Sequence, residues 1–370
     1  MKARSILHNI RILDFTWVLA GPYATRLLAD FGAEVIKVQS PAKPEDDDAF
    51  TRGYYNTWNR NKLGITLNLN ESEGVALVKK LVKKCDAVVE NFTPRVMANW
   101  GLDYANLKKV KSDIIMVSMS VMGQKSPHKD YVGYGPTVQA FSGMTALTSF
   151  PGKPPLGPGF SYADHIAGLY ASLELLGALE KRRRTGEGQH IDISEVDVMK
   201  SLQVDGDSSL AALQNVYHCQ DNRWCAAAVF SEEEWRGLKR ALGNPKWAED
   251  IRFATLKGRR DNRAELDRLI AAWTREHTTE EVMSRLRQNG VVAGIVQDAA
   301  DLAKDPQLKA RGFFVGGNVF TDTSPIKMGR SGARYERPAP APGQDNVYVY
   351  GKLLGLSEDK IADLQVKGVI

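Results

Sequence analysis

The chain has little of what usually settles a function quickly. It holds three cysteines in 370 residues, Cys85, Cys219 and Cys225, at no spacing that makes a disulfide framework. None stands near histidines at zinc spacing. The six histidines, His8, His128, His165, His190, His218 and His277, are scattered. This points to a reducing compartment and to no metal. No apolar run reaches the roughly 18 residues that a membrane span needs. The start, "MKARSILHNIRILDF", has neither the apolar core nor the cleavage site of a leader. We therefore expect a cytoplasmic protein with no membrane partner. The net charge of +5 is mild and spread along the chain, which gives no nucleic-acid footprint and is compatible with an anionic small ligand or with no ligand at all.

Familiar catalytic signatures are also missing. No G-x-G-x-x-G follows a strand, which argues against a Rossmann-type nicotinamide enzyme, and no G-x-x-x-x-G-K-[ST] makes a P-loop. No G-x-S-x-G elbow marks a serine hydrolase. Internal repeats and low-complexity tracts are absent.

What is present is an ordinary globular composition, 43% hydrophobic and 25% charged, long enough for one large domain or two smaller ones. The first two hundred residues alternate strand and helix signals. "RILDF" reads as a strand, then "GPYATRLLADFG" as a helix with Pro22 at its first position and Gly32 at its stop. Ala24, Leu27, Leu28 and Phe31 make its buried stripe. "AEVIKV", "DAVVENF" and "IIMVSMS" are further strands. "ESEGVALVKKLVKKC" is a helix with acids first and lysines last, its inner face Val78, Leu81, Val82 and Cys85. Strands separated by helices imply right-handed crossovers and a parallel sheet covered on both sides. The basic run Lys181–Arg184 reads as a solvated helix end before a glycine turn. From about residue 222 the pattern changes to a smaller α+β unit, with capping boxes at Ser231–Glu234 and Thr278–Glu281 and an apolar strand "VVAGIV".

In a parallel sheet, ligands bind beyond the carboxyl ends of the strands. The loop "TWVLAGP" carries backbone N–H groups into a helix start, an anion site. "NFTPR" offers Asn91 and Arg95 beside Phe92 for a flat base and a phosphate, or is simply a common turn. A helix over 162–180 has Ile166, Leu169, Leu173 and Leu176 along one apolar face. Asp164 stands where a cap usually stands. The Pro- and Gly-rich stretch 149–162 brings backbone close to it. The helix dipole favours the ionised carboxylate, which is a competent nucleophile toward an activated carbonyl. Spacing alone leaves cap and nucleophile both open.

Five stretches carry a resemblance: "ILDFTWVLAGPYATRLLADFGAEVIKVQSP", "WNRNKLGITLNLNESEG", "VVENFTPRVMANWGLDY", "FSYADHIAGLYASLELLGALEKRRRTGEGQHIDISEVD" and "LLGLSEDKIADLQVKGVI". They resemble the class III CoA-transferases, the CaiB/BaiF family of formyl-CoA transferase and its relatives, in family order along the whole chain. The resemblance implies an α/β fold: a Rossmann-like large domain with a parallel sheet, from 1–215 and a return over 316–370. A smaller α+β domain over 216–315 lies between them. It also implies an interlocked homodimer, with acyl-CoA and a carboxylic acid as substrates and coenzyme A as the transferred group. Asp164 takes the place of the family's nucleophile, Val18 and Ala20 fall in its CoA loop, Leu67 lies beside its adenine stretch, and Asn91 and Phe92 form its "ENF" contact, with Arg95 close behind.

Three departures qualify what the resemblance implies. Tyr134 stands where the family's racemases carry a histidine before "SG", which disfavours two-base racemisation. Residues about 200–218 look short beside relatives, which raises the alternative of a non-catalytic subunit in a heteromer with a second family member. Trp17 and Leu19 replace polar residues of formyl-CoA transferase and are similar to subgroups acting on bulkier aromatic or branched acids, such as the succinyl-CoA:benzylsuccinate type. The expected activity is therefore CoA transfer from an acyl-CoA such as succinyl-CoA, through an aspartyl anhydride and an aspartyl-CoA thioester.

Overall fold

The computed structural model describes residues 5–42, 49–149, 152–203, 211, 213–315 and 321–370. Much of the short segment over 200–218, namely 204–210 and 212, lies outside the described residues. The chain divides into two compact units, 1–203 with 312–370, and 204–311.

In the first unit, β1 (Arg11–Asp14), β2 (Glu34–Gln39), β3 (Leu63–Thr66), β4 (Ala87–Glu90), β5 (Ile115–Ser120) and β6 (His190–Ser194) form one sheet. The order is β3-β2-β1-β4-β5-β6, and all neighbours pair in parallel. The sheet grows one way from β1 and then the other way from β4, so the order reverses between those two strands. The crevice beyond the carboxyl ends at such a reversal is where ligands bind in open α/β sheets. β4 and β5 are buried along their whole length, as expected of strands covered on both faces. β3 and β6 add to the strands legible in the sequence.

The helices between strands are α1 (Ala20–Asp30), α2 (Ala49–Trp58), α3 (Ser72–Val82), α4 (Arg95–Asn99) and α5 (Tyr104–Val110). After β5 come α6 (Gly135–Ser142), α7 (Met144–Leu147) and α8 (Tyr162–Thr185), and after β6 comes α9 (Glu195–Ser201). One face of the sheet packs on α3, where Val78, Leu81, Val82 and the nearby Cys85 are buried, and on Val349, Tyr350, Ile361 and Leu364 from the returning chain. The other face packs on α1 and α8.

Two details differ from expectation. α1 starts at Ala20, so Pro22 is its third residue rather than its first. In α8 the leucine stripe does not face the core: Leu173 is 65% exposed, and Leu169 and Leu176 are exposed too. The buried face is instead Ala163, Ala167, Gly168, Ala171, Leu175 and Ala178. Small residues bring α8 against α1 so closely that a methyl on Gly168 would overlap the carbonyl oxygen of Ala20. The basic end of α8 closes on Gly186 in the left-handed region (φ 75°), with Arg183 and Arg184 paired to Glu180.

The second unit has an antiparallel sheet of β7 (Leu213–His218), β8 (Trp224–Val229) and β9 (Val292–Ile295). Its helices α10 (Glu232–Ala241), α11 (Leu256–Asp261), α12 (Arg263–Thr274) and α13 (Thr279–Gln288) share a core around Trp235, Phe253 and Ile270. Both capping boxes form, at Ser231–Glu234 and Thr278–Glu281.

A buried polar network ties the strand ends of the first unit together. Asp14, the last residue of β1, accepts from Lys62 Nζ at 2.9 Å, from Thr25 Oγ1 at 2.7 Å and from the Thr16 amide at 2.9 Å. Lys37 of β2 donates to the Thr16 carbonyl. Lys62 also holds Asn59 Oδ1 at 2.8 Å and the Pro22 carbonyl at 3.1 Å. Burial pushes the Asp14 carboxyl up, but Lys62, Lys37 and the hydroxyls of Thr16 and Thr25 outweigh it and hold it below the usual carboxylate range. Breaking such a pair leaves one charge buried alone. Lys62→Met is therefore expected to cost about 3–5 kcal/mol in denaturant titration, whereas Arg183→Met at an exposed pair should change nothing measurable.

Candidate active site

The loop that leaves β1 is set by that network and by one further contact. The Trp17 amide donates to Asn91 Oδ1 at 2.9 Å, and Asn91 Nδ2 donates back to the Trp17 carbonyl at 3.0 Å. The loops after β1 and β4 are thereby bound to each other. Between Trp17 and Leu19 the chain passes through Val18 at φ 63°. A β-branched residue is rarely found in the left-handed region, and the surrounding structure must impose it.

These loops form one wall of a cavity of about 190 Å³. Trp17, Val18 and Leu19 line it beside Asn91 and Phe92, with Ser120 from the end of β5. Tyr134, in the loop before α6, closes another side, and Asp164 and Glu195 reach it from α8 and α9. A second cavity, of about 230 Å³, shares Trp17 and Phe92 with the first and is lined further by Phe15, Gln39, Leu67 and Trp100.

Asp164 is not a cap. Ser161 holds the N-cap position and Asp164 is the third residue of α8. Its carboxylate is buried against Gly135, where an added methyl would overlap Oδ2, and Oδ2 finds no hydrogen-bond partner among the described residues. Burial, opposed by Asp164's own backbone N–H, pushes the carboxyl up to about 6, against the direction in which the helix dipole acts. Desolvation of a carboxylate whose Oδ2 has no partner among the described residues outweighs the favourable helix end. At neutral pH the group is still mostly ionised, and it is poorly solvated.

Of the other residues singled out from sequence, Val18, Asn91 and Phe92 stand on the first cavity, and Leu67 and Phe92 on the second. Both ends of the Asn91 amide are engaged with Trp17, so it shapes the loop. Ala20 is buried at the start of α1 and Arg95 is exposed at the start of α4. Neither is on the wall of these two cavities. Tyr134 is exposed at the cavity rim.

Sequence reasoning missed Glu195. It follows the N-cap Ser194, whose side chain accepts from the Asp197 amide, and so reads as an ordinary first-turn acid. Instead its side chain is buried and lines the cavity with Asp164. Burial and the nearby Asp164 charge push its carboxyl up to about 8. Among the described residues, no three His, Cys, Asp or Glu side chains are grouped to hold a metal ion, and no helix is long and apolar enough to cross a membrane.

Residues 7–346 match the family described as CoA-transferase family III. The chain belongs to that family. It is 36% identical to the succinyl-CoA–D-citramalate CoA-transferase of Chloroflexus aurantiacus, over 98% of each chain. It is 32% identical to the succinate–glutarate CoA-transferase of Agrobacterium fabrum, over 94% of this chain and 95% of that one. Among solved structures, a CAIB/BAIF family protein from Brucella suis superposes with a TM-score of 0.87 at 28% identity, over 95% of this chain and all of that one. The α/β architecture with a smaller α+β domain is thus that of the CaiB/BaiF-like CoA-transferases, and CoA transfer is the activity of the family.

Within this family fold, Gly135 leaves the space that the Asp164 carboxylate fills. Gly135→Ala is expected to displace that carboxylate and lower CoA transfer on the order of 100-fold. Circular dichroism and thermal unfolding should stay near those of the parent.

Proposed function

We propose that this protein transfers CoA from succinyl-CoA to a short branched dicarboxylic acid through covalent intermediates on Asp164, as an interlocked homodimer. The observation that carries this reading is the Asp164 carboxylate, its Oδ2 buried without a partner among the described residues, in a cavity at the strand reversal.

The chemistry follows from that setting. An Asp164 oxygen attacks the thioester carbonyl, the C–S bond breaks, and a mixed anhydride forms with CoA thiolate as leaving group. The thiolate attacks the aspartyl carbonyl, which expels the donor acid and leaves an aspartyl-CoA thioester. The acceptor carboxylate attacks this thioester, giving a new anhydride and thiolate. Attack of that thiolate on the acceptor's acyl carbon restores Asp164. No step consumes a proton or an electron. Desolvation raises the nucleophilicity of the carboxylate, and a held thiolate acts at high effective concentration.

The second cavity suits the nucleotide end of CoA. Phe92 and Trp100 pack edge to face on its wall, 5.9 Å between ring centres. Gln39 Nε2 is buried there with no acceptor among the described residues, a donor placed for an adenine ring. The apolar walls Trp17, Leu19, Val121 and Val132 of the first cavity suit a methyl-bearing acid. Its small volume favours a short chain over a benzyl substituent. The relatives named for citramalate and glutarate support the same substrate class. The exposed stripe Leu169, Tyr170, Leu173 and Leu176 on α8 supports a second copy as its cover.

Hydroxylamine added to enzyme and succinyl-CoA is expected to leave a hydroxamate on the Asp164 peptide, read by mass spectrometry. Asp164→Ala should lose the adduct and on the order of 10⁴-fold in rate. A peptide without adduct under turnover, or an active Ala variant, would refute the covalent route. In a panel of acceptors, methyl-substituted dicarboxylates should exceed benzylsuccinate and monocarboxylates in kcat/KM.

A further inference from the structure

The cavity around Asp164 contains a second carboxyl, Glu195, that the anhydride route leaves without a task. Glu195 is the first residue of α9 and only 7% exposed. No hydrogen bond or ion pair to its side chain is formed among the described residues. Asp164 Oδ2 and Ser120 Oγ on the same wall are also buried without partners. No lysine, arginine or histidine lines this cavity among the described residues. The titratable groups that line it with Glu195 are Asp164 from α8 and the phenols of Tyr131 and Tyr134 from the loop before α6. Two carboxyls in a small cavity without a cation do not both ionise near neutral pH. One proton stays, and it must sit on one of them.

Resting on the transferase reading above, we infer that Glu195 is a second catalytic carboxyl of this site. It keeps that proton and donates it, as a hydrogen bond, to the oxygen that turns negative when the carboxylate of Asp164 attacks the thioester. The attack converts a neutral carbonyl into an oxyanion in a cavity with no cation to meet it, and a preorganised donor is then worth far more than in water. The hydrogen bond strengthens as charge develops and relaxes when the C–S bond breaks. The proton remains on Glu195 throughout, so the exchange stays balanced. A neutral Glu195 also spares Asp164 a like charge and leaves it free to ionise. Burial without a partner is costly for a polar group, and at Glu195 a substrate oxygen supplies the missing acceptor. The titration order agrees, with Asp164 at about 6 and Glu195 at about 8.

The pH dependence has a definite sign. Activity rises as pH passes about 6, where Asp164 loses its proton, and falls as pH passes about 8, where Glu195 loses its own. Glu90, at the end of β4, titrates between them at about 7, raised by burial against hydrogen bonds from Ser118 and the Phe92 amide, so variants must separate the two. Glu195→Gln keeps a neutral donor and should hold kcat within several-fold while losing the alkaline limb. Glu195→Met fills the space without a donor, and its kcat should fall on the order of 100-fold with KM little changed. A Met variant with parental kcat would make Glu195 mere filling and overturn the assignment, as would an alkaline limb that persists in the Gln variant. Uptake of solvent deuterium at the α-carbon of succinyl-CoA that vanishes in the Gln variant would also overturn it, by making Glu195 a base toward carbon.

A further readout needs no activity. Glu195 is raised in the fold above its ordinary 4.5. The parent should therefore lose stability relative to Glu195→Gln as pH rises from that value through about 8. Parallel stability curves for the two would contradict the assignment. The Asp164 hydroxamate, measured in the same parent samples, separates the failures. Its absence refutes the transferase reading, whereas its presence beside an unimpaired Met variant refutes the role of Glu195 alone.

Discussion

The site depends on one buried ion pair, Asp14 with Lys62. Neither side chain reaches solvent, and each is held by further bonds: Asp14 by Thr16 and Thr25, Lys62 by Asn59 and the Pro22 carbonyl. Burying two charges is expensive, and a pair of this kind adds little net stability over an apolar one of equal shape. What it adds here is position. It fixes the turn out of β1, which Asn91 ties to the loop out of β4. Val18 is thereby kept in a backbone region it would not choose. The walls of both cavities follow from these constraints.

Against this rigid frame the reactive group is left unsatisfied. Asp164 Oδ2 and Ser120 Oγ are buried without partners among the described residues, and burial raises the Asp164 and Glu195 carboxyls. Among the buried carboxylates of the frame the pairing is close, as in Asp30 with Arg60 at 2.6 Å and Asp14 with Lys62 at 2.9 Å. The contrast between those paired carboxylates and the unpartnered Asp164 Oδ2 is the physical mark of a site that awaits a ligand. Glycines at Gly135 and Gly168 make the geometry compact, the first beside the carboxylate and the second where α8 meets α1.

Much of this was legible in the sequence, for reasons that differ residue by residue. The strands β1, β2, β4 and β5 announce themselves as apolar runs because both faces are covered. β3 breaks its apolar run with Gly64, and β6 alternates polar and apolar residues in "HIDIS", so neither gives the same signal. The helix α8 was easy to find and hard to orient: it has two apolar faces, and the smaller side chains are the ones buried. A pattern of spacing weighs leucine above alanine, while close packing against α1 prefers alanine and glycine. Asp164 drew notice through its glycine-rich approach. Glu195 did not, because an acid in the first turn of a helix is common, and only the fold shows that it turns inward beside a second carboxyl.

The central claim is that the acceptor acid and Asp164 are joined in one anhydride. Each turnover must then exchange an oxygen between them. Acceptor acid labelled in its carboxylate with heavy oxygen should, in a single turnover, leave one heavy oxygen in the Asp164 carboxylate, read from the mass of that peptide. Product formed with no label in Asp164 would mean that the acyl groups never bond to this residue, and the account would be wrong at its centre.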